Sequence, residues 1–180
     1  DADLLRRYDR PGPRYTSYPT APQFSDSFTA MDLREVIQRS NEDPIPRALS
    51  LYVHVPFCAS PCFYCGCNRI ITRDQQRGDK YLLELKKGAA MLAPLFDGDR
   101  EVIQLHFGGV TPNFLSPAQI GGFVEFLQKQ FPFSTSANRD ISIEIDPRCV
   151  KPDDIAALAA AGFNRASLGV QDFDPDVQAA

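Results

Sequence analysis

Four segments of the chain alternate apolar and polar side chains, and this alternation limits the folds open to it more than any other feature. In 49–57 (LSLYVHVPF), Leu51, Val53 and Val55 fall on one face, Tyr52 and His54 on the other. In 102–109 (VIQLHFGG), Leu105 and Phe107 oppose Gln104, His106 and Gly108. In 140–146 (DISIEID), Ile141, Ile143 and Ile145 oppose Ser142, Glu144 and Asp146; in 165–173 (RASLGVQDF), Ala166, Leu168 and Val170 oppose Ser167, Gly169 and Gln171. A period of two is that of a strand. Helical segments lie between: 79–96, 116–131 with Ser116 as N-cap, Pro117 in the first turn and Gln119 completing a capping box, and 152–163 with Asp153 and Asp154 at its start and Gly162 at its end. The repeated strand–helix order predicts a parallel sheet with crossover helices. A doubly wound sheet is apolar on both faces. Here one face is apolar, for helices, and the other is polar in all four strands. That pattern fits a barrel whose inner wall surrounds a polar ligand, because crossovers of one hand place every helix outside a curled sheet. A sheet with one solvated face is the alternative. Four strands do not close a barrel, so further strands are expected beyond residue 180.

Ahead of the first strand, DRPGPRYTSYPTAPQ (9–23) is rich in proline, tyrosine and arginine, and predicts an extended arm over 1–25 docked through Tyr8, Tyr15 and Tyr18. A short amphipathic helix (31–40) and a linker (42–46) follow. The expected organisation is therefore arm and short helix in 1–48, and the first four β/α units in 49–180. The net charge of −4 argues against a general nucleic-acid binder. No apolar run is long enough to cross a membrane and no leader precedes the arm, so a cytoplasmic protein without a membrane partner is expected.

Four of the five cysteines fall within CASPCFYCGC (58–67). Disulfides fit poorly in a chain large enough to bury a core without them. Structural zinc usually takes two thiol pairs separated by a longer stretch. A CxxxCxxC loop suits three irons of a [4Fe–4S] cluster better, although Cys67 offers a fourth thiol and zinc stays open on spacing alone. The loop follows the first strand, at the end of a parallel barrel where active sites sit. Cys149 lies apart and reads as a spectator.

CxxxCxxC with Tyr64 before its last cysteine resembles the signature of the radical S-adenosylmethionine (SAM) superfamily, and HFGGVTP (106–112) resembles that superfamily's GGGTP stretch, which approaches the methionine part of SAM. PGPRYTSYPTA, LSLYVHVPFC, CGCN, ISIEIDPR and GFNRASLGVQDF together are similar to the oxygen-independent coproporphyrinogen III oxidase family. The resemblance implies an α/β fold, the N-terminal part of a parallel (β/α) partial barrel of radical SAM type with an extended N-terminal arm. It implies that Cys58, Cys62 and Cys65 hold a [4Fe–4S] cluster and that Cys67 is typical of the family but no ligand. By the same resemblance Tyr52, Gly109 and Glu144 contact the SAM on the cluster, and Tyr64, Val110, Thr111 and Gln171 surround a second SAM. Tyr52 and His54 are the candidate catalytic residues, with ordinary wall packing as the alternative. The implied reaction converts two propionates of coproporphyrinogen III to vinyl groups through a 5′-deoxyadenosyl radical, giving protoporphyrinogen IX. The implied partners are that substrate and an electron donor such as flavodoxin or ferredoxin, acting on a monomer. Arg6, Arg7, Arg10 and Arg14 are candidates for the substrate carboxylates, or a solvated arm. A haem-binding chaperone of the superfamily is disfavoured by the RYTSYPTA arm and by Cys67. Two positions depart from the pattern: Val110 stands at the third glycine of GGGTP and Asn113 at a usual threonine. Valine is expected to be strained if position 110 needs φ > 0.

Overall fold

The computed structural model describes residues 2–9, 21–45, 47–62, 65–170 and 172–178. By compactness the chain divides into residues 1–36 and 37–180. In the first, helix α1 (Ala2–Tyr8) occupies part of the stretch expected to be extended. The reason is local: the prolines begin only at Pro11, and nothing before them opposes a helix. Arg10, Arg14, Tyr15 and Tyr18 lie outside the described residues. Helix α2 (Ala30–Asn41) starts with a reciprocal cap, in which the Thr29 hydroxyl and backbone N–H both donate to Asp32 at 2.6 Å.

Residues 37–180 hold β1 (Leu49–Val55), β2 (Phe57–Cys58), β3 (Ile70–Ile71), α3 (Gln76–Leu92), β4 (Val102–Gly109), α4 (Pro117–Gln130), β5 (Asp140–Ile145), α5 (Pro152–Ala160), β6 (Arg165–Leu168) and α6 (Pro175–Gln178). Strands β1-β4-β5-β6 form one sheet in that order, every neighbouring pair parallel. The expected capping box of α4 is present, with Ser116 N–H donating to Gln119 Oε1 at 2.8 Å. Gly162 ends α5 with φ of 100°, the left-handed conformation expected of it.

Leu49, Val53, Val55, Leu105, Phe107, Ile141, Ile143 and Ile145 are buried on one face, together with Leu82 of α3, Ile120, Phe123, Val124 and Leu127 of α4, and Leu158 of α5. Phe107 lies edge-on to Phe123 and Phe163, with ring centroids 6.2 and 5.5 Å away. Burying one such side chain is worth about 1.5–3 kcal/mol. Among the described residues, no helix of this core covers the other face. Its polar residues bond sideways from strand to strand, as with Ser50 Oγ donating to Gln104 Oε1 at 2.9 Å.

The pairing has one irregularity. Leu49 faces Val102 but Ser50 faces Gln104, so Ile103 is an extra residue in β4. Val102 is buried and Ile103, next to it, is 45% exposed. Just before this bulge, buried Arg100 donates through Nε to Arg47 O (2.9 Å) and through Nη1 to Ser40 Oγ (2.7 Å) and Asn41 Oδ1 (3.0 Å). These bonds tie the end of α2 to the entry of β4.

The fourth strand is shorter than expected, ending at Leu168, and all of its residues are exposed. With β5 on one side only among the described residues, it has no second neighbour to extend it or to cover Leu168. Strand β1 is likewise shorter than expected, because Pro56 separates it from β2, which pairs with β3 instead.

Candidate functional site

The thiol loop rises from a fixed base. The short β2–β3 ladder is closed by Ile70 N–H on Pro56 O (2.7 Å) and Thr72 N–H on Cys58 O (2.9 Å). Phe57 packs edge-on to Tyr81 and against Phe114, at 5.4 and 5.1 Å. Tyr81 in turn donates to His54 O at 2.7 Å. Cys58 is buried, Cys65 half-buried, and Cys62 and Cys67 exposed. Arg69 beside Cys65 draws that thiol below its usual range. Partial desolvation, then repulsion from Cys65 and Glu144, pushes Cys67 up.

The polar wall lies at the same end of the sheet. His106 of β4 is bonded to two residues of β5: Nδ1 is 2.8 Å from Ser142 Oγ and Nε2 is 3.3 Å from Glu144 Oε1. Tyr52 of β1 stacks on the His106 ring, with centroids 5.8 Å apart and planes at 24°. Its hydroxyl is 3.4 Å from His54 Nδ1, whose ring meets Asn68 O through Nε2 at 3.3 Å. Desolvation, then the Glu144 charge, raises the Tyr52 phenol above its usual value. Tyr52 is nonetheless 60% exposed, so its ring is a surface offered to whatever occupies this face.

The glycine loop completes the edge. Gly109 has φ of 116° and Val110 N–H donates to Val55 O at 3.0 Å. Thr111, buried, donates its hydroxyl to Cys58 Sγ at 3.4 Å, so the glycine loop and the thiol loop touch. Asn113 reads both backbone groups of Asp146: its Nδ2 donates to Asp146 O and its Oδ1 accepts from Asp146 N–H, each at 2.9 Å. Asparagine makes the two bonds with two separate atoms, where threonine has a single oxygen to offer, which gives the departure at 113 a physical purpose. Asn113→Ala is expected to cost about 1–3 kcal/mol in urea unfolding, by leaving half-buried backbone groups unpaired. An unchanged midpoint would show the clamp to be idle.

Residues 52–180 match the family model of the radical SAM superfamily. The chain belongs to the radical SAM superfamily. It is 48% identical over 178 residues to the oxygen-independent coproporphyrinogen III oxidase of Salmonella typhimurium, covering 99% of this chain and 37% of that protein. It is 46% identical over 180 residues to the oxidase of that name from Pseudomonas aeruginosa, covering all of this chain and 39% of that one. Among solved structures it is similar to coproporphyrinogen III oxidase from Escherichia coli, described as a radical SAM enzyme, with a TM-score of 0.86 and 45% identity over 99% of this chain and 38% of the other. The chain thus spans well under half the length of the relatives it matches. Its parallel sheet and helices are the N-terminal part of the radical SAM (β/α) fold.

Radical SAM proteins use a [4Fe–4S] cluster and SAM, and the residues present fit that pair. Among the described residues no three Cys, His, Asp or Glu side chains converge on one point. A cubane's irons are separate centres, each taking its own thiolate, so the three thiols need not meet at one ion, only close around one cluster. Beside them Gly108 and Gly109 keep the strand edge free of side chains: a Cβ at Gly108 would stand 2.9 Å from the Tyr52 ring and 3.0 Å from His106 Nε2. Of the residues expected at a radical SAM site, His54, Gly109, Val110, Thr111 and Glu144 lie at or just past the C-terminal ends of β1, β4 and β5, Cys58 ends β2 with Cys62 and Cys65 in the loop after it, and Tyr52 lies midway along β1. Tyr64 and Gln171 lie outside the described residues. Gly109, one position before the valine expected to bear strain, is left-handed. Sequence reasoning left Glu144 without a protein partner and His106 without a role. Alternation had placed both on the polar wall, but only the register of β4 on β5 brings them together.

Proposed function

We propose that this chain acts in the oxygen-independent oxidative decarboxylation of coproporphyrinogen III to protoporphyrinogen IX. The observation that carries the reading is the meeting of the thiol loop and the glycine loop at Thr111 and Cys58, at the C-terminal edge of a sheet whose open face is polar. The named relatives support the substrate. In this reading Cys58, Cys62 and Cys65 hold the cluster and Cys67 does not. Tyr52, Gly109 and Glu144 face the SAM on the cluster, while Val110 and Thr111, with Tyr64 and Gln171, face a second SAM. Bound there, cluster and SAM supply a 5′-deoxyadenosyl radical able to take hydrogen from a propionate β-carbon. The chain's own part is orientation and exclusion of water. Glu144 offers a carboxylate to a cationic ligand, Tyr52 an aromatic surface, and His54, held between Tyr52 and Asn68, keeps that ring in place. The expected setting is a cytoplasmic monomer served by flavodoxin or ferredoxin. Among the described residues no helix is long and apolar enough to cross a membrane.

The test is anaerobic. Reconstituted protein given coproporphyrinogen III, SAM and a reductant is expected to release 5′-deoxyadenosine and a vinyl-bearing product, read by chromatography. Deoxyadenosine without any vinyl product from cluster-loaded protein would overturn the substrate while leaving the superfamily intact.

A further inference from the structure

We propose that His106 is a positioning residue, which holds the Glu144 carboxylate through an Nε2–H bond and is itself held in that tautomer by Ser142. The proposal rests on the reading that Glu144 faces SAM. Ser142 is buried, and its hydroxyl needs an acceptor. Two are in reach: His106 Nδ1 at 2.8 Å and Leu105 O at 3.5 Å. The shorter contact is the normal hydrogen bond and the longer is at the limit of one. With Ser142 donating to it, Nδ1 carries no proton, and the ring's proton sits on Nε2, 3.3 Å from Glu144 Oε1. A neutral imidazole in this tautomer fixes one carboxylate oxygen without cancelling its charge. Glu144 therefore presents a directed anion to a cationic ligand, and among the described residues its bond to His106 uses only Oε1.

The ring is held at both nitrogens and on one face. Ser142 and Glu144 come from β5, His106 from β4, and the Tyr52 ring of β1 covers its face. Gly108 makes the space, since a Cβ there would stand 3.0 Å from His106 Nε2. The charged and titratable groups facing the ring are Glu144 and Tyr52, with His54 beyond the Tyr52 hydroxyl. A histidine that only filled space would need neither the serine behind it nor the carboxylate in front.

The experiment uses the protein as its gene encodes it, reconstituted with its cluster. Two-bond proton–nitrogen spectra of the imidazoles are expected to show His106 protonated on Nε2 alone, and Ser142→Ala is expected to abolish this single tautomer. In SAM titrations, His106→Ala at unchanged iron content should bind about tenfold more weakly, as for the loss of one bond to a charged group. His106→Gln places an amide donor near the position of Nε2 and should stay within about threefold of wild type. A proton on Nδ1 in the wild-type protein, full affinity in His106→Ala, or failure of glutamine to rescue would each overturn the proposal. Cluster-loaded wild-type protein that binds no SAM would instead overturn the reading of Glu144 beneath it, with the tautomer still measurable.

Discussion

Anaerobic reconstitution of Cys62→Ala is expected to yield protein with its iron reduced more than about tenfold, while Cys67→Ser reconstitutes like wild type. The two thiols are five residues apart and both exposed, so access does not separate them. What separates them is their place in the loop. Cys58 is anchored by the β2–β3 ladder and capped by Thr111, and Cys62 and Cys65 follow on the same excursion. Cys67 lies further along the same loop, just before β3, where desolvation, then repulsion from Cys65 and from the Glu144 carboxylate, raises its pKa. A thiol beside an unneutralised carboxylate is a poor place for the anionic ligand a cluster needs. Iron and sulfide analysis, with electron paramagnetic resonance of the reduced protein, is the measurement. Equal loss of iron in both variants would place Cys67 among the ligands. Stoichiometric zinc in place of iron would remove the cluster from the assignment altogether.

Gly109→Ala is expected to lose about 2–6 kcal/mol of stability in chemical unfolding. Two effects add. The φ of 116° is open to glycine and costs other residues about 1–3 kcal/mol. The new Cβ would also stand 2.7 Å from Val55 O and 2.9 Å from Val55 N, and such overpacking costs about 1–3 kcal/mol more. Those atoms are backbone at the end of β1, and the same carbonyl accepts from Val110. They cannot yield without parting β1 from β4, which would carry the thiol loop away from Thr111. Loss of iron-binding capacity is therefore expected alongside loss of stability. Gly108→Ala meets side chains instead, the Tyr52 ring and His106, and should disturb the wall more than the fold. A Gly109→Ala protein with an unchanged unfolding midpoint would mean that the loop relaxes without strain.

Much of this was legible from residues alone, for identifiable reasons. The isoleucines at 141, 143 and 145 leave no doubt about period or facing, and Ser116 with Gln119 announces a helix start through bonds that need no tertiary context. The β2–β3 ladder was not legible: two residues per strand are too few to show a period, and the pairing spans a loop. The pairing of His106 with Glu144 was hidden because lateral register is a property of two strands together. Asn113 read as a deviation because its partner, the backbone of Asp146, has no side-chain signature at all.

The extra residue at Ile103 has a consequence for which length changes β4 can accept. Val102 points into the core, Ile103 interrupts, and from Gln104 onward the strand again keeps polar and apolar positions in turn. Removing Ile103 would leave an unbroken two-residue rhythm from Val102 to Gly109, with every downstream side chain on its present side. Removing Gln104 would also be absorbed by the bulge, but would place Ile103 on the polar wall, and removing Leu105 or His106 would turn Gln104 toward the core. The loss of a residue is thus tolerated at the entry of this strand, whereas a loss further along its run moves polar side chains onto the core face. The bulge acts as a slack link, which lets the chain before β4 vary in length while the histidine, the glycines and the thiol contact beyond it keep their phase.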